Sequence, residues 1–510
     1  MLASIPTATV LGVDGRPVTV EVYVSSGLPT FTVVGLPDAS CREARDRVRA
    51  ALLSSGLPWP MQRITVNLAP SGVPKVGSGF DLAIAIGVLV ASDVLKASQI
   101  DGHGFIGELG LDGSLRPVPA VLSLVDALQC TTVVLCPSSV AQARLSNRRR
   151  VRSAANLAEL VHALRGTGPW SEAASPDPGS SSPDVDSSVG IPDMADLHGQ
   201  PLARLAAEVA ATGGHHLLLV GPPGAGKTML ARRLVGLLPP LGLAQAQEVT
   251  RVHSAAGMPL PPCGYIGHPP LRAPHHGASM VAMVGGGSGL LRPGEISLAH
   301  RGVLFLDELG EFPTSVLDAL RQPLEEGVVR VSRAGTSATL PARFLLVAAG
   351  NPCPCGVGEQ GHEPCRCSAA ARQRYARRLS GPLLDRFDLR ISVARPAPGD
   401  MVQGDPAEST AVVADRVAVA RGVAMARQNC LNSELGAGGL RMHCRLDSGT
   451  RQLLTSALTT GRLSARGLHR VQRVARTVAD LRCASCVGAA DVGLALQLRN
   501  SLKSSLAGIG

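Results

Sequence analysis

The sequence predicts an α/β protein: a mixed α+β first segment, a parallel-sheet core and a helical tail. Three observations carry that reading. Apolar runs at residues 18–24, 31–34 and 64–67 are separated by helical patterns near residues 42–55 and 81–92. Later runs at 217–220, 303–306 and 344–349 are apolar at every position, as strands covered on both faces are. From residue 451 to 500 apolar residues recur at helical spacing, most clearly over 468–481.

At 510 residues the chain exceeds what one hydrophobic core usually supports, so two or three domains are expected. Residues 1–165 form the first. Residues 166–190, rich in Ser, Pro, Gly and Asp, bury too little apolar surface to offset ~1–2 kcal/mol of ordering per residue, and read as a flexible linker. The core spans 191–395 and the helical tail 396–510. Lys+Arg 49 against Asp+Glu 39 gives a net charge of +10, which suits an anionic partner such as nucleic acid and is also common in ordinary basic proteins. Aromatic content of 2% argues against base stacking, so any nucleic-acid contact falls on phosphates. The N-terminus has no basic, apolar signal pattern and no apolar run is long enough to span a bilayer, so a cytoplasmic protein without a membrane partner is expected.

The core is organised around Gly221, Pro222, Pro223, Gly224, Ala225, Gly226, Lys227 and Thr228, which match the phosphate-loop pattern G-x-x-x-x-G-K-[ST]. An apolar strand enters this loop and a helix beginning at Met229 leaves it, the context the motif requires. Backbone N–H groups close around phosphate oxygens, Lys227 reaches the terminal phosphates and Thr228 ligates Mg²⁺, so ATP and Mg²⁺ are the expected cofactors. The second strand ends in Asp307 and Glu308. Asp307 at the strand end can hold the metal with Thr228, and Glu308 is placed to polarise the attacking water, which implies hydrolysis beyond binding. The third strand ends at Asn351, a neutral hydrogen-bonding group beside the γ-phosphate. Together these indicate an AAA+ module. Arg386 stands where the sequence resembles the arginine finger of ring ATPases, so a site shared between subunits is expected; the alternative is an internal ion pair with Asp385 or Asp388.

Twelve cysteines in a reducing compartment read as metal ligands where they cluster. Cys353, Cys355, Cys365 and Cys367 supply four thiols in two pairs, a candidate structural Zn²⁺ site in which His362 could replace one thiol. Cys483 and Cys486, one turn apart in a predicted helix, read as core residues.

In the first segment the stretch around Pro74-Lys75 and Ser78, with Gly107-Glu108 and Arg116 following, resembles the proteolytic domain of Lon proteases, whose fold is of the ribosomal S5 domain 2-like α+β type. Laid on that family's pattern, the nucleophile position falls on Gly79 and the lysine position near Leu122, so the Ser–Lys peptidase dyad is absent. The order of Lon-like domain, linker, phosphate loop, Asp307-Glu308 strand, cysteine insertion at 353–367 and Arg386 motif resembles the YifB/ComM family of magnesium-chelatase-like AAA+ proteins over essentially the whole chain. The resemblance implies a homohexameric, ATP-driven DNA motor of helicase type that promotes branch migration of single-stranded or branched DNA during natural transformation, with recombination proteins as partners. It also implies that the 328–341 hairpin touches DNA through Arg330 and Arg333, and that residues 396–510 are a helical lid from which Arg466 or Arg473 reaches the nucleotide. Residues 253–300, with His275 and His276, read as mobile pore-lining loops in which the histidines serve a structural or nucleotide-sensing role. A metal-insertion motor like magnesium chelatase, a nucleotide-gated scaffold and a Lon-type peptidase are the alternatives.

Overall fold

The computed structural model describes residues 1–171, 192–287, 291–333, 336–357, 365–378, 381–397, 399, 407–461 and 463–500. The first domain opens with strands Leu2–Leu11 and Asp14–Ser25, paired antiparallel, with Arg63–Ala69 against the second and Thr30–Val34 parallel at the edge. Helices Ala39–Ser54 and Asp81–Ala91 match the expected helical stretches; the latter is buried at every residue because it is apolar on all sides. A three-stranded parallel sheet, His103–Phe105, Thr132–Leu135 and Arg150–Ser153, completes the domain. Residues 166–171, assigned to the linker by composition, fold back onto it. Trp170 stacks on His103 with ring centroids 6.1 Å apart, Arg152 lies over the indole at 5.7 Å, and the Ser171 N–H donates to Ser153 O. The rest of that linker lies outside the described residues.

In the central domain five parallel strands run in the order Leu271–Arg272, Val303–Leu306, Leu345–Gly350, Leu217–Val220, Leu389–Ser392. The three middle strands are buried throughout, which is why their sequences lack alternation. The stretch 253–300 is therefore only partly an insertion. Leu271–Arg272 belongs to the sheet, and the extra chain lies beyond it as helices Met280–Val284 and Glu295–Leu298 around a short hairpin.

The two domains share one hydrophobic cluster, in which Val10, Val121, Leu124 and Val125 meet Val252, Ala255, Leu306 and Leu340. Polar contacts seal the seam: Ser254 Oγ accepts from Ala120 N at 2.9 Å, Gln247 donates to Leu145 O at 2.6 Å, and Arg251 pairs with Asp126.

The C-terminal helices Thr410–Gln428, Ser448–Thr459, Ala465–Leu481 and Ala489–Asn500 pack around the third, whose apolar stripe (Val471, Val474, Val478) faces helix Pro201–Gly213. This helix ends at Leu481, and the backbone turns left-handed at Cys483 (φ 53°), leaving Cys483 and Cys486 exposed in a turn rather than in the core. Asp388, at the foot of the central sheet, joins the two units. Arg470 donates to its Oδ1 at 2.5 Å and the His215 ring lies 3.7 Å away. Burial alone would raise the Asp388 pKa, but His215, Arg470 and His216 outweigh it and hold the carboxyl well below the usual range.

Replacing Asp388 with Ala removes the buried carboxylate that Arg470 and the buried His215 face, and is expected to cost about 3–5 kcal/mol, read as a lower urea midpoint. Since the folded pKa is depressed, the stabilisation is present above the unfolded value of about 4 and fades as pH falls further, so the gap between wild type and variant narrows in acid.

Candidate functional site

Parallel register sets the site. Val220 pairs with Gly350 and Leu306 with Ala348, so three neighbouring strands end side by side and deliver the loop, Asp307–Glu308 and Asn351 to one edge of the sheet. Gly224 and Gly226 adopt φ of 78° and 79°, left-handed values that let the loop wrap tightly before helix Lys227–Leu234 begins. Lys227 is only 8% exposed; its ammonium donates to Gly221 O at 2.7 Å and Pro222 O at 2.9 Å, with Asn351 Oδ1 at 3.3 Å. Burial lowers its pKa against the pull of Asp307 and Glu308. An ammonium so poor in solvent gains strongly from an incoming anion. Thr228 Oγ1 donates to Asp307 Oδ2 at 2.7 Å, which puts two oxygen ligands at one point, as a hard cation such as Mg²⁺ requires. Glu308 follows in a left-handed turn (φ 53°), its N–H on Asp307 Oδ1 at 3.0 Å and its carboxylate 3.0 Å from His276 Nδ1.

Two further residues hold the loop. Gln200, itself left-handed (φ 56°), donates to Ala394 O at 3.1 Å and to Ala225 O, and Arg395 donates to Pro223 O at 3.2 Å. Neither sits in a recognisable motif; the only signal was Gly199-Gln200 just ahead of Pro201, where a helix starts.

Arg386 is not at this edge. It pairs with Glu325, while Asp385 faces Arg390 at 3.4 Å and Asp388 is taken by Arg470, so the internal pairs expected as its alternative do not form. It lines a cavity of about 1110 Å³ together with Arg343, Arg470 and Arg473. Arg473 donates to Leu435 O at 2.8 Å, and Arg466 is exposed on the same helix; among the described residues neither makes a hydrogen bond or ion pair with residues 221–228. The hairpin forms from Val328–Arg333 and Thr336–Pro341, its inner face (Val329, Val331, Leu340) buried and Arg330 outward, paired with Glu326 at 2.5 Å. The Arg333 side chain and the turn at Gly335 lie outside the described residues.

The four cysteines converge. Cys353 Sγ lies 3.3 Å from Cys355 Sγ and 3.6 Å from Cys365 Sγ, Cys355 and Cys365 are 3.7 Å apart, and all four sulfurs including that of Cys367 fall within 4.8 Å of one another. Tetrahedral Zn²⁺ with ~2.3 Å bonds separates its sulfurs by ~3.8 Å, so the donor set fits. The Val357 backbone N–H and the Cys353 thiol bring Cys355 down to about 6, while burial pushes Cys367 up. His362 lies outside the described residues. This loop touches the phosphate loop: a β-carbon on Gly356 would sit 2.9 Å from the Pro223 ring. In the first domain, Ser78 donates to Glu108 and the buried Lys75 ammonium to Pro70 O, so serine and lysine are not partners.

The magnesium chelatase subunit ChlI family model matches residues 193–401, with further ChlI models over 20–138 and over the C-terminal 407–499. Protein YifB of Escherichia coli is 43% identical over 94% of this chain and 93% of its own, and competence protein ComM of Haemophilus influenzae is 43% identical over 94% of each. The chain belongs to the YifB/ComM family. This membership supports ATPase activity, and the AAA+ family it belongs to implies ATP and Mg²⁺ as cofactors. The chain is also 29% identical over 35% of its length to the magnesium-chelatase 38 kDa subunit of Cereibacter sphaeroides, whose own length is covered to 51%. Among the described residues no helix is long and apolar enough to cross a membrane.

Gly356→Ala combines a left-handed backbone (φ 81°) with a clash against Pro223, and is expected to shift the phosphate loop and weaken ATP binding roughly tenfold, about 1.4 kcal/mol, in a fluorescent-nucleotide titration.

Proposed function

We propose that this YifB/ComM family member is an ATP-driven DNA motor that works as a homohexamer on single-stranded or branched DNA during uptake and recombination. One observation carries the reading: Lys227, Thr228, Asp307, Glu308 and Asn351 converge on one sheet edge, while Arg386 lines a separate cavity with Arg473. Such a division suits a site completed by a neighbouring subunit. Thr228 and Asp307 would hold Mg²⁺, which when bound would supply positive charge against that developing on the phosphates. Lys227 leaves its carbonyls for the phosphates, Thr228 and Asp307 turn their oxygens to the metal, Glu308 accepts a proton from the attacking water and Asn351 holds the γ-phosphate oxygens. Arg386 and Arg473 of one copy approach the nucleotide of the next, which assigns the lid arginine to Arg473 over the exposed Arg466.

The likeness to ComM, whose name links it to competence, supports DNA over other cargoes, as do the basic balance of the chain and the outward Arg330 on its hairpin beside Arg333. The first domain is a Lon-like fold without its dyad, kept for assembly or substrate contact, and residues 396–510 are the lid. The four thiols hold a structural zinc that braces Asn351 and the phosphate loop from one side. The partial likeness to a magnesium-chelatase subunit favours the rival motor acting in metal insertion.

With purified full-length protein, branched or single-stranded DNA is expected to raise ATP turnover and to be remodelled, and Glu308→Gln to lower kcat by about 10²–10⁴. Turnover indifferent to DNA and dependent on a dedicated partner subunit would point to the metal-insertion motor. Function that survives Glu308→Gln would point to a scaffold. Elemental analysis should find one zinc per chain, lost in a Cys355→Ser, Cys367→Ser variant; a metal-free native protein would end the zinc assignment.

A further inference from the structure

We propose that His276 is the positioning residue of Glu308. The proposal rests on Glu308 being the water-activating carboxylate.

The need is geometric. Glu308 projects from a left-handed turn at the end of a rigid strand and its side chain is 54% exposed, so nothing in its own backbone selects one rotamer. A base must stand within hydrogen-bond reach of the proton it takes, and a displacement near 1 Å costs about 100-fold in rate. Among the described residues, His276 is the side chain that engages the carboxylate, with Nδ1 3.0 Å from Oε2. That contact occupies one oxygen and leaves Oε1 to accept from water. It requires a proton on Nδ1, the tautomer a carboxylate partner selects.

His276 is itself held. The His275 ring lies against it with centroids 4.1 Å apart, and His275 is fixed by Gly277 N donating to its Nδ1 at 3.1 Å and Ala278 N donating to its carbonyl at 2.9 Å. The two adjacent histidines therefore lie against each other in a tight turn, their rings tilted by 36°. The turn lies between two anchored pieces. Before it, Arg272 makes paired 2.7 Å bonds to Glu295; after it, Ser279 Oγ caps helix Met280–Val284, whose Met280 and Val281 face outward.

Basal ATP turnover of the full-length chain tests this without reference to DNA. His276→Ala is expected to lower kcat about 10- to 100-fold, with KM for ATP and nucleotide affinity within twofold of wild type. His276→Asn, whose amide nitrogen can replace Nδ1, should recover most of the turnover; His276→Gln, of similar bulk but with its amide displaced by one bond, should not. Folding damage would lower all three alike and raise KM, which would overturn the proposal. So would a His276→Ala protein with wild-type kcat alongside an inactive Glu308→Gln protein. If Glu308→Gln retains full turnover, the assignment of Glu308 fails first, and the two failures are told apart.

Discussion

The site depends on the register of a parallel sheet. A loop, a carboxylate pair and an asparagine separated by more than a hundred residues meet because Val220 stands opposite Gly350 and Leu306 opposite Ala348. A slip of one residue would move Asn351 away from Lys227 and turn buried side chains to the wrong face of the sheet, so the hydrophobic core that fixes the register also fixes the chemistry. The apolar middle strands, covered on both faces, leave the slip no favourable alternative.

Much of this was legible in the sequence, for identifiable reasons. The three strands and two helices expected in the first domain fall where periodicity places them, whereas Leu2–Leu11 and the short strands His103–Phe105, Thr132–Leu135 and Arg150–Ser153 were not read from the sequence. The phosphate loop, Asp307–Glu308 and the cysteine set were legible because their chemistry constrains residue type at short spacing. What escaped was made by contacts across long separations with no local pattern: Gln200 and Arg395 on the loop, Gly356 against Pro223, His276 on Glu308. Leu271–Arg272 was missed because two residues are too few for any period, and Trp170 because a polar stretch hid one aromatic ring that finds a histidine and an arginine.

The seam between the first and central domains is apolar at its centre and polar at its rim, like a core cut in half. It places helix Leu243–Ala255 between the first domain and the chain that carries His276, and the hairpin with Arg330 packs on the same side, Ala338 against Gly12. The first domain is thus part of the wall against which the hairpin and the helix next to the His276 chain pack.

Arg470 gives the C-terminal helices a hold of their own. The same guanidinium nitrogen that reaches Asp388 also donates to the Arg386 carbonyl at 2.8 Å, and Arg473 follows one turn later on the same helix. Arg386 and Arg473 are therefore linked through a single rod. If that rod swings, the two positive groups move together, so the charge lining their cavity changes in one step of two rather than by degrees.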